Sequence, residues 1–158
     1  MAFKSRHRSQ ETRPVVVAKV TAATVVAVGD LILIDSNGLA YPASSETWNT
    51  DLATTQGLAH DKFLGVAEAA SAAGETDLLR VGAMGDYEFD CASATFKVGQ
   101  YVGWAKQTGN FLENQKVVGV ANAGLACGQV VKAGTSLTSV LVRIRGTMTE
   151  GGVVTPTT

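Results

Sequence analysis

A short phrase centred on glycine occurs twice in this chain, and the repeat limits the folds that the sequence can adopt. Phe63–Glu68 reads Phe-Leu-Gly-Val-Ala-Glu, and 54 positions later Val117–Asn122 reads Val-Val-Gly-Val-Ala-Asn. Upstream, Val28-Gly29-Asp30 is echoed 70 positions later by Val98-Gly99-Gln100, and each opens an apolar run, a turn and a second run. The sequence therefore predicts a duplicated β unit. Two copies are fewer than a solenoid needs, so we expect one compact domain with internal pseudo-duplication.

Short β-branched runs separated by glycine turns predict an all-β fold. Leu31–Ile34 is apolar on both faces, which is typical of a fully covered strand. The Asn37-Gly38 pair that follows predicts a hairpin with a type I′ turn, because these residue types tolerate positive φ angles. Thr24–Val28 is expected to be a further strand, and Asp86–Asp90 alternates like a half-buried one. About ten such strands predict a small barrel or sandwich with one short inserted helix.

The insertion at residues 44–62 differs from the rest of the chain because its apolar side chains recur at helical spacing. Spacings of 4, 3, 4 and 4 place five side chains on one face of a helix: Trp48, Leu52, Thr55, Ala59 and Phe63. Asp51 or Asn49 is suited to cap its start, and Gly57 weakens it by about 1 kcal/mol relative to alanine. The second copy has no counterpart. We therefore expect either a lid over an open end of the sheet or a contact element for a partner.

The chain divides into an arm, one domain and a tail. Residues 1–13 have almost no apolar side chains and a formal side-chain charge of +3, which predicts an arm that is either solvated or bound to a negatively charged partner. Residues 14–146 are predicted to form a single β domain, with copy one at about 28–90 and copy two at about 98–146. Threonine and glycine dominate residues 147–158, which predicts a flexible tail.

Charge and hydropathy exclude some classes of protein. The net charge is −1, so the molecule as a whole is not expected to bind nucleic acid directly. Charged residues make up 17% of the chain against a usual quarter, which suits a sheet protein with an extended contact surface. Lys19 interrupts the apolar run after the arm, which argues against a signal peptide. Lys19 and Asp30 together exclude a membrane span at residues 15–34, so we expect a soluble protein.

Histidines are too few to support an obvious catalytic centre. His7 lies in the arm, and His60 lies next to Asp61 at the end of the predicted helix. A His60-Asp61 pair suits a serine or cysteine hydrolase, but the chain has no Gly-x-Ser-x-Gly nucleophile motif. We expect a solvated histidine at the helix end and no enzymatic activity.

Carboxylates and thiols offer two further candidate sites. Asp86, Glu88 and Asp90 share one strand face, which favours either a hard cation or a solvent face that meets a basic partner. Cys91 and Cys127 have no Cys-x-x-Cys spacing and no neighbouring histidine. Buried free thiols are expected, with a disulfide as the alternative. We expect no metal site and no cofactor.

Six short phrases, taken in their order and spacing, resemble the capsid cement, or head decoration, proteins of tailed bacteriophages. They are Val28–Asp30, Gly38–Ala43, Phe63–Ala67, Val98–Gly103, Val118–Ala121 and Val142–Ile144. The resemblance covers residues 14–146. It implies a small β protein that binds the outside of an icosahedral shell, commonly as a trimer where major capsid proteins meet, and stabilises the shell against internal DNA pressure. The expected partners are then the major capsid protein and further copies of the chain, on the outer face of the virion after assembly in the host cytoplasm.

The chain departs from that family in its basic arm and in the helical insertion at residues 44–62. We expect the arm to lie on an acidic capsid surface or a neighbouring subunit through four cations: Lys4, Arg6, Arg8 and Arg13. The alternative function is a receptor- or carbohydrate-binding β module of a virion fibre or spike, which would show clustered exposed aromatic side chains. Trp48 and Trp104 are far apart in sequence and lie in core-like patterns. A small hydrolase using His60 is the third interpretation.

Overall fold

The computed structural model describes residues 15–150, which are mostly β structure with one helix longer than a single turn, as predicted. The strands are β1 Val15–Ala18, β2 Leu31–Ile34, β3 Ala40–Pro42, β4 Phe63–Ala67, β5 Leu79–Gly82, β6 Asp86–Phe96, β7 Tyr101–Gln107, β8 Phe111–Gly119, β9 Gly128–Val130 and β10 Gly134–Ile144. The helices are α1 Leu52–Lys62 and α2 Thr147–Glu150, with 3-10 turns at Ala43–Ser45 and Ala123–Leu125.

The strands form two sheets. The first sheet has the order β1-β5-β4-β2-β3, and the second is a closed barrel with the order β10-β6-β8-β7-β9. In the first sheet, the amide of Ala40 donates to the carbonyl of Lys19 over 2.8 Å, and a bridge joins Lys19 to Leu39. The chain just after β1 therefore lies against β3, and the two edges of the first sheet meet there.

The central strands β2 and β4 of the first sheet are buried on both faces. Leu31 and Leu33 point into a core shared with the barrel, where the ring of Phe63 meets the ring of Trp104 edge-on at 5.3 Å between centroids. Ile32 on the opposite face belongs to a second core, made within the first sheet and its loops. As expected, β2 has a strand on each side and is covered on both faces, which accounts for its uninterrupted apolar sequence.

The repeated openings adopt the same turn. Each opening is a four-residue turn, Ala27–Asp30 in copy one and Lys97–Gln100 in copy two. The amide of the fourth residue donates to the carbonyl of the first, over 3.1 Å and 3.2 Å respectively. The glycine inside each turn has a positive φ, 97° and 87°. In both copies the side chain of the last residue also accepts from the first amide: Asp30 Oδ2 at 2.9 Å and Gln100 Oε1 at 3.1 Å. The matching sequences therefore encode matching geometry.

The strand pairing after each turn is repeated as well. Ile32 pairs with Gly65 in the first sheet, and Val102 pairs with Gly119 in the barrel, so the two pairs differ by the same sequence offsets as the phrases themselves. Beyond this point the copies diverge, since β4 pairs with β5 whereas β9 pairs with β7. β6, which begins in copy one by sequence, belongs to the barrel. The duplication is thus limited to the turn and the first strand pair.

The hairpin between β2 and β3 is confirmed, but its predicted type I′ turn is wrong. Of this loop only Gly38 has a positive φ, 78°. The Asp35 carboxylate accepts from the amides of Asn37 and Leu39 over 2.8 and 3.0 Å. The aspartate therefore stabilises a three-residue loop that ends in a left-handed glycine, and Asn37 does not need a positive φ.

Two further expectations need correction. Thr24–Val28 is not a strand, because turns at Thr21–Thr24 and Ala27–Asp30 leave only Val26 to pair, with Ser71. Within the insertion at 44–62, only Leu52–Lys62 is α-helical, so Trp48 and Phe63 lie outside the helix whose face they were expected to share.

The start and the end of the helical region follow local rules. Asp51 caps α1, since its Oδ1 accepts from the Thr54 amide over 2.8 Å. Thr55 and Ala59 are buried, as their spacing predicted. At the other end of the described chain, Thr147–Glu150 form one helical turn within the residues predicted to be a tail.

Candidate interaction surface

The cations predicted to contact the capsid lie outside the described residues: Lys4, Arg6, Arg8 and Arg13. The structure does show where the arm joins the body. Val15 begins β1 and pairs with Gly82 of β5. At the other end, the backbone of Gly146 lies against β4, where an added Cβ would be 2.7 Å from the Phe63 carbonyl oxygen. Both terminal segments therefore join the body at the first sheet.

The outer face of β1 and β5 exposes apolar side chains. Val16 and Ala18 point inward to the core of the first sheet, so Val17 points outward and is 58% exposed. Leu78, just before β5, is also 58% exposed. Exposed neighbouring apolar side chains on a sheet edge are typical of a surface that contacts another protein.

Cations flank this apolar pair. Arg80 lies directly opposite Val17 in the β1–β5 register and is exposed, and Lys19 is exposed at the end of β1. We name the surface formed by Val17, Lys19, Leu78 and Arg80 the β1–β5 face. Asp77, next to Leu78, is exposed too, so one positive charge is in excess around the apolar centre. Such a face is complementary to an apolar surface with acidic neighbours. Sequence reasoning missed this face because Val17 was assigned to a strand without knowing which side of it is covered.

The predicted carboxylate row lies on β6 as expected, and cations from the same chain face it. Tyr87 alternates with the acids and is buried, which confirms the half-buried strand. Asp86 holds Arg143 through two hydrogen bonds, Nε–Oδ1 at 2.7 Å and Nη2–Oδ2 at 3.0 Å, and this contact raises the pKa of Arg143. Asp90 lies opposite Lys116 of β8. Within residues 15–150 no group of three or more histidine, cysteine or acidic side chains is arranged to hold a metal ion.

His60 is a structural contact, which corrects the expectation of a solvated side chain. Its Nδ1 lies 2.8 Å from the carbonyl oxygen of Ala126, so the ring donates a hydrogen bond to the loop before β9. One turn earlier, Gln56 Nε2 donates to the carbonyl of Trp104 over 2.7 Å in a buried setting. These two bonds attach α1 to β7 and to the loop before β9.

Both cysteines are buried free thiols, the interpretation favoured from the sequence. Burial raises the pKa of Cys127 to about 12. Burial, and then the charge of Asp90, also raise the pKa of Cys91. Both side chains are therefore thiols at neutral pH and are poor nucleophiles.

The tryptophans give no specific support to the carbohydrate-binding alternative. Trp104 is fully buried in the shared core. Trp48 is half-buried, and Lys106 Nζ lies 5.3 Å from the centroid of its ring, a cation–π contact. Phe111, at 51% exposure, is the one aromatic among the large exposed apolar side chains of the described residues.

A groove of about 430 Å³ opens on the barrel where β6 and β8 separate. Its walls are largely small side chains, including Ala92, Ser93 and Ala94 of β6 and Gly119 of β8. The sequence carries a weak signal for it, a run of small residues inside a long strand. That run alone does not identify a groove, because the wall opposite belongs to a strand distant in sequence.

Comparison with known proteins adds no relative to this picture. No protein-family model matches the chain, and no curated protein matches it. In the described part of the chain, neither helix has the length and apolar character that crossing a bilayer requires.

Proposed function

We propose that this chain is a structural virion protein that binds the outer surface of a phage capsid and stabilises the shell, and that it acts as a homotrimer. The observation that carries the proposal is the β1–β5 face, an exposed apolar pair with cationic neighbours beside the point where the basic arm joins. The resemblance of six sequence phrases to phage cement proteins also supports it.

The arm and the face belong to one binding surface in this proposal. Val15 and Val17 are two residues apart on β1, so the arm starts where the apolar pair lies. Its four cations extend the positive charge of Lys19 and Arg80, whereas residues 14–158 carry a formal charge of −4. A capsid surface with acidic groups around an apolar patch would meet both parts together.

Binding to the shell would depend on the number of contacts as much as on the strength of each contact. The exposed apolar area of two side chains is small, so a single face contributes little affinity. Linking three faces in a trimer makes the second and third contacts intramolecular, which raises the overall affinity without new chemistry. Repetition over the lattice then lets a modest contact stabilise the whole shell.

The test uses capsids assembled without this chain from the major capsid protein of the same virus, and measures co-sedimentation. Val17→Asp places a charge in the apolar centre and is expected to reduce binding about tenfold or more, because the carboxylate must be desolvated on docking. Val98→Asp is the matched control, since Val98 is 67% exposed at a turn on the barrel. Equal binding by the two variants would remove the face from the proposal.

Deleting residues 1–13 tests the arm separately. We expect loss of shell binding with an unchanged thermal melt, because the deleted residues precede the described fold. Substituting all four cations by glutamine should have the same effect, and raising the salt concentration should weaken binding of the intact chain. Unchanged binding after the deletion would show that the arm has another role.

A further inference from the structure

We propose that Asn37 is a site of spontaneous backbone modification, in which the amide nitrogen of Gly38 attacks the Asn37 carboxamide and ammonia leaves. Asp35 sets the rate of this reaction through its hydrogen bonds to the loop. The inference concerns the hairpin between β2 and β3 and is independent of capsid binding.

The reaction needs only the chain and water. The Gly38 nitrogen gives its proton to a solvent base and forms a bond to Asn37 Cγ. The bond from Cγ to the side-chain nitrogen breaks, and that nitrogen takes a proton from water and leaves as ammonia. The product is a cyclic succinimide. Water then opens the ring at either carbonyl, so residue 37 becomes an aspartate or an isoaspartate whose main chain runs through Cγ.

Asn37 differs from the other asparagines in its neighbour and its surroundings. It is the one of the chain's five asparagines that is followed by glycine, so no side chain shields the attacking nitrogen. Asn37 is exposed, and a Cβ built on Gly38 would have no atom within 4 Å. Gly38 adopts its positive φ of 78° without strain, because it has no Cβ. The loop therefore has space to close the ring.

Asp35 holds the loop in a conformation that hinders the attack. The amide of Gly38 donates to the Asp35 carbonyl over 3.0 Å, so the proton that must leave is held in a hydrogen bond. The Asp35 carboxylate accepts from the amides of Asn37 and Leu39, which fixes the backbone on both sides of the reacting peptide bond. The loop must open locally before it reacts, and the rate follows the population of the open form.

The isoaspartyl product would weaken the closure of the first sheet. It adds one methylene to the main chain at position 37 and places a new carboxylate two residues from Asp35. Leu39 and Ala40 follow directly, and the amide of Ala40 donates to the carbonyl of Lys19 over 2.8 Å. A displaced loop end therefore disturbs the contact at which the two edges of the first sheet meet.

The test follows the mass of the peptide that carries residue 37 while the intact chain is incubated at mildly alkaline pH. Isoaspartyl-specific methylation identifies the product. Asp35→Ala removes the carboxylate acceptor and is expected to raise the rate about tenfold or more, because the loop opens more often. Asp35→Asn keeps an oxygen acceptor in the same place and should react within about threefold of the wild-type rate. A melting temperature well above the incubation temperature shows that each variant is folded.

Two references need no variant. A synthetic peptide of residues 33–41 lacks the fold, so it should react about tenfold or more faster than the intact chain. Asn122 is exposed but is followed by alanine, and it should keep its mass throughout the incubation. Modification of Asn122 as fast as Asn37 would overturn the assignment of the site. Equal rates in the peptide and the intact chain, or in folded Asp35→Ala and the wild type, would overturn the role of Asp35.

The consequence for the fold is measured on the products. The isoaspartyl chain should melt at a lower temperature than Asn37→Asp, which carries the same new charge without the extra methylene. Equal melting temperatures would show that the loop does not transmit the change to the closure of the first sheet.

Discussion

Gly65 and Gly119 occupy matching places in the two copies, yet their surroundings differ. A Cβ at Gly65 would collide with the carbonyl oxygen of Gly82 in the neighbouring strand. A Cβ at Gly119 would approach Gln100 Nε2, at 2.9 Å, which is the end of a flexible side chain. Gly65 has no room for a side chain because the backbone of Gly82 is in contact with it. Gly119 has room once the side chain of Gln100 moves.

We therefore expect Gly65→Ala to lower the free energy of unfolding by about 1–3 kcal/mol, the range for an overpacked core. Gly119→Ala is the matched variant and should cost under about 1 kcal/mol. Urea unfolding of both variants measures the difference. Similar losses at the two sites would contradict the packing seen around Gly65.

Asp51 gives the fold a pH dependence. Hydrogen bonds from Thr54 lower the pKa of Asp51 from its ordinary value of 3.8. The folded state thus favours the carboxylate, whose stabilisation is present above pH 3.8 and is lost as the pH falls through the lower folded pKa. Asp51→Ala should lower the melting temperature at neutral pH. The difference in melting temperature between this variant and the wild type should disappear in acid. A difference that persists in acid would show that the cap acts through something other than its charge.

Single residues were predictable from the sequence where the cause is local. The hairpin after β2 was predicted, and Asp51 was named as a possible cap, because each depends on neighbours within a few positions. The turn after β2 was mistaken because the Asp35 side chain, not the Asn-Gly pair, organises it. Two conformations were compatible with that loop sequence, and a side-chain hydrogen bond decides between them.

At the scale of elements, α1 is held by polar contacts that no periodicity reveals. Gln56 and His60 bond to carbonyls 48 and 66 positions away. The positions of Gln56 and His60 in the sequence do not indicate that either side chain bonds to the barrel. The helix was predictable from Leu52, Thr55 and Ala59. The exclusion of Trp48 from it was not, since Thr50 adopts a positive φ of 62° that ends the helical path toward Trp48.

Gln56→Ala tests the attachment of α1. The substitution leaves the buried carbonyl of Trp104 without its donor, so we expect a loss of about 1–3 kcal/mol in the free energy of unfolding. Gln129→Ala removes bonds of the same kind at an exposed site, where Nε2 donates to the Gly99 carbonyl over 3.0 Å and Oε1 accepts from Arg145 Nη1 over 2.9 Å. It should cost under about 0.5 kcal/mol. Thermal or urea unfolding compares them. An equal cost would mean that burial does not set the strength of the attachment.

The sequence predicted a small β fold, but it did not predict which strands pair with each other. The parallel contact between β6 and β8 joins strands from different copies through Asp90–Lys116 and Cys91–Val117. A hairpin is encoded by its turn, whereas this contact depends on how the barrel closes. The groove exists because that pairing is short, so neither the groove nor the lysines beside it were predictable.

At the scale of the whole molecule, the first sheet and the barrel carry different surface features. The first sheet carries the β1–β5 face and the points where both terminal segments join. The barrel carries the groove and the pairing of Asp86 with Arg143. The proposed function predicts that the first sheet faces the capsid, because its exposed apolar pair and the point where the arm joins are on that side.

Co-sedimentation of the intact chain with capsids that lack it, titrated to saturation and read as copies bound per shell, tests the proposed function most directly. A shell-binding trimer predicts saturation at a multiple of three copies and a higher temperature at which the loaded shells break open. The proposal is contradicted if the chain stays in the supernatant at every concentration, or if loaded and empty shells break at the same temperature.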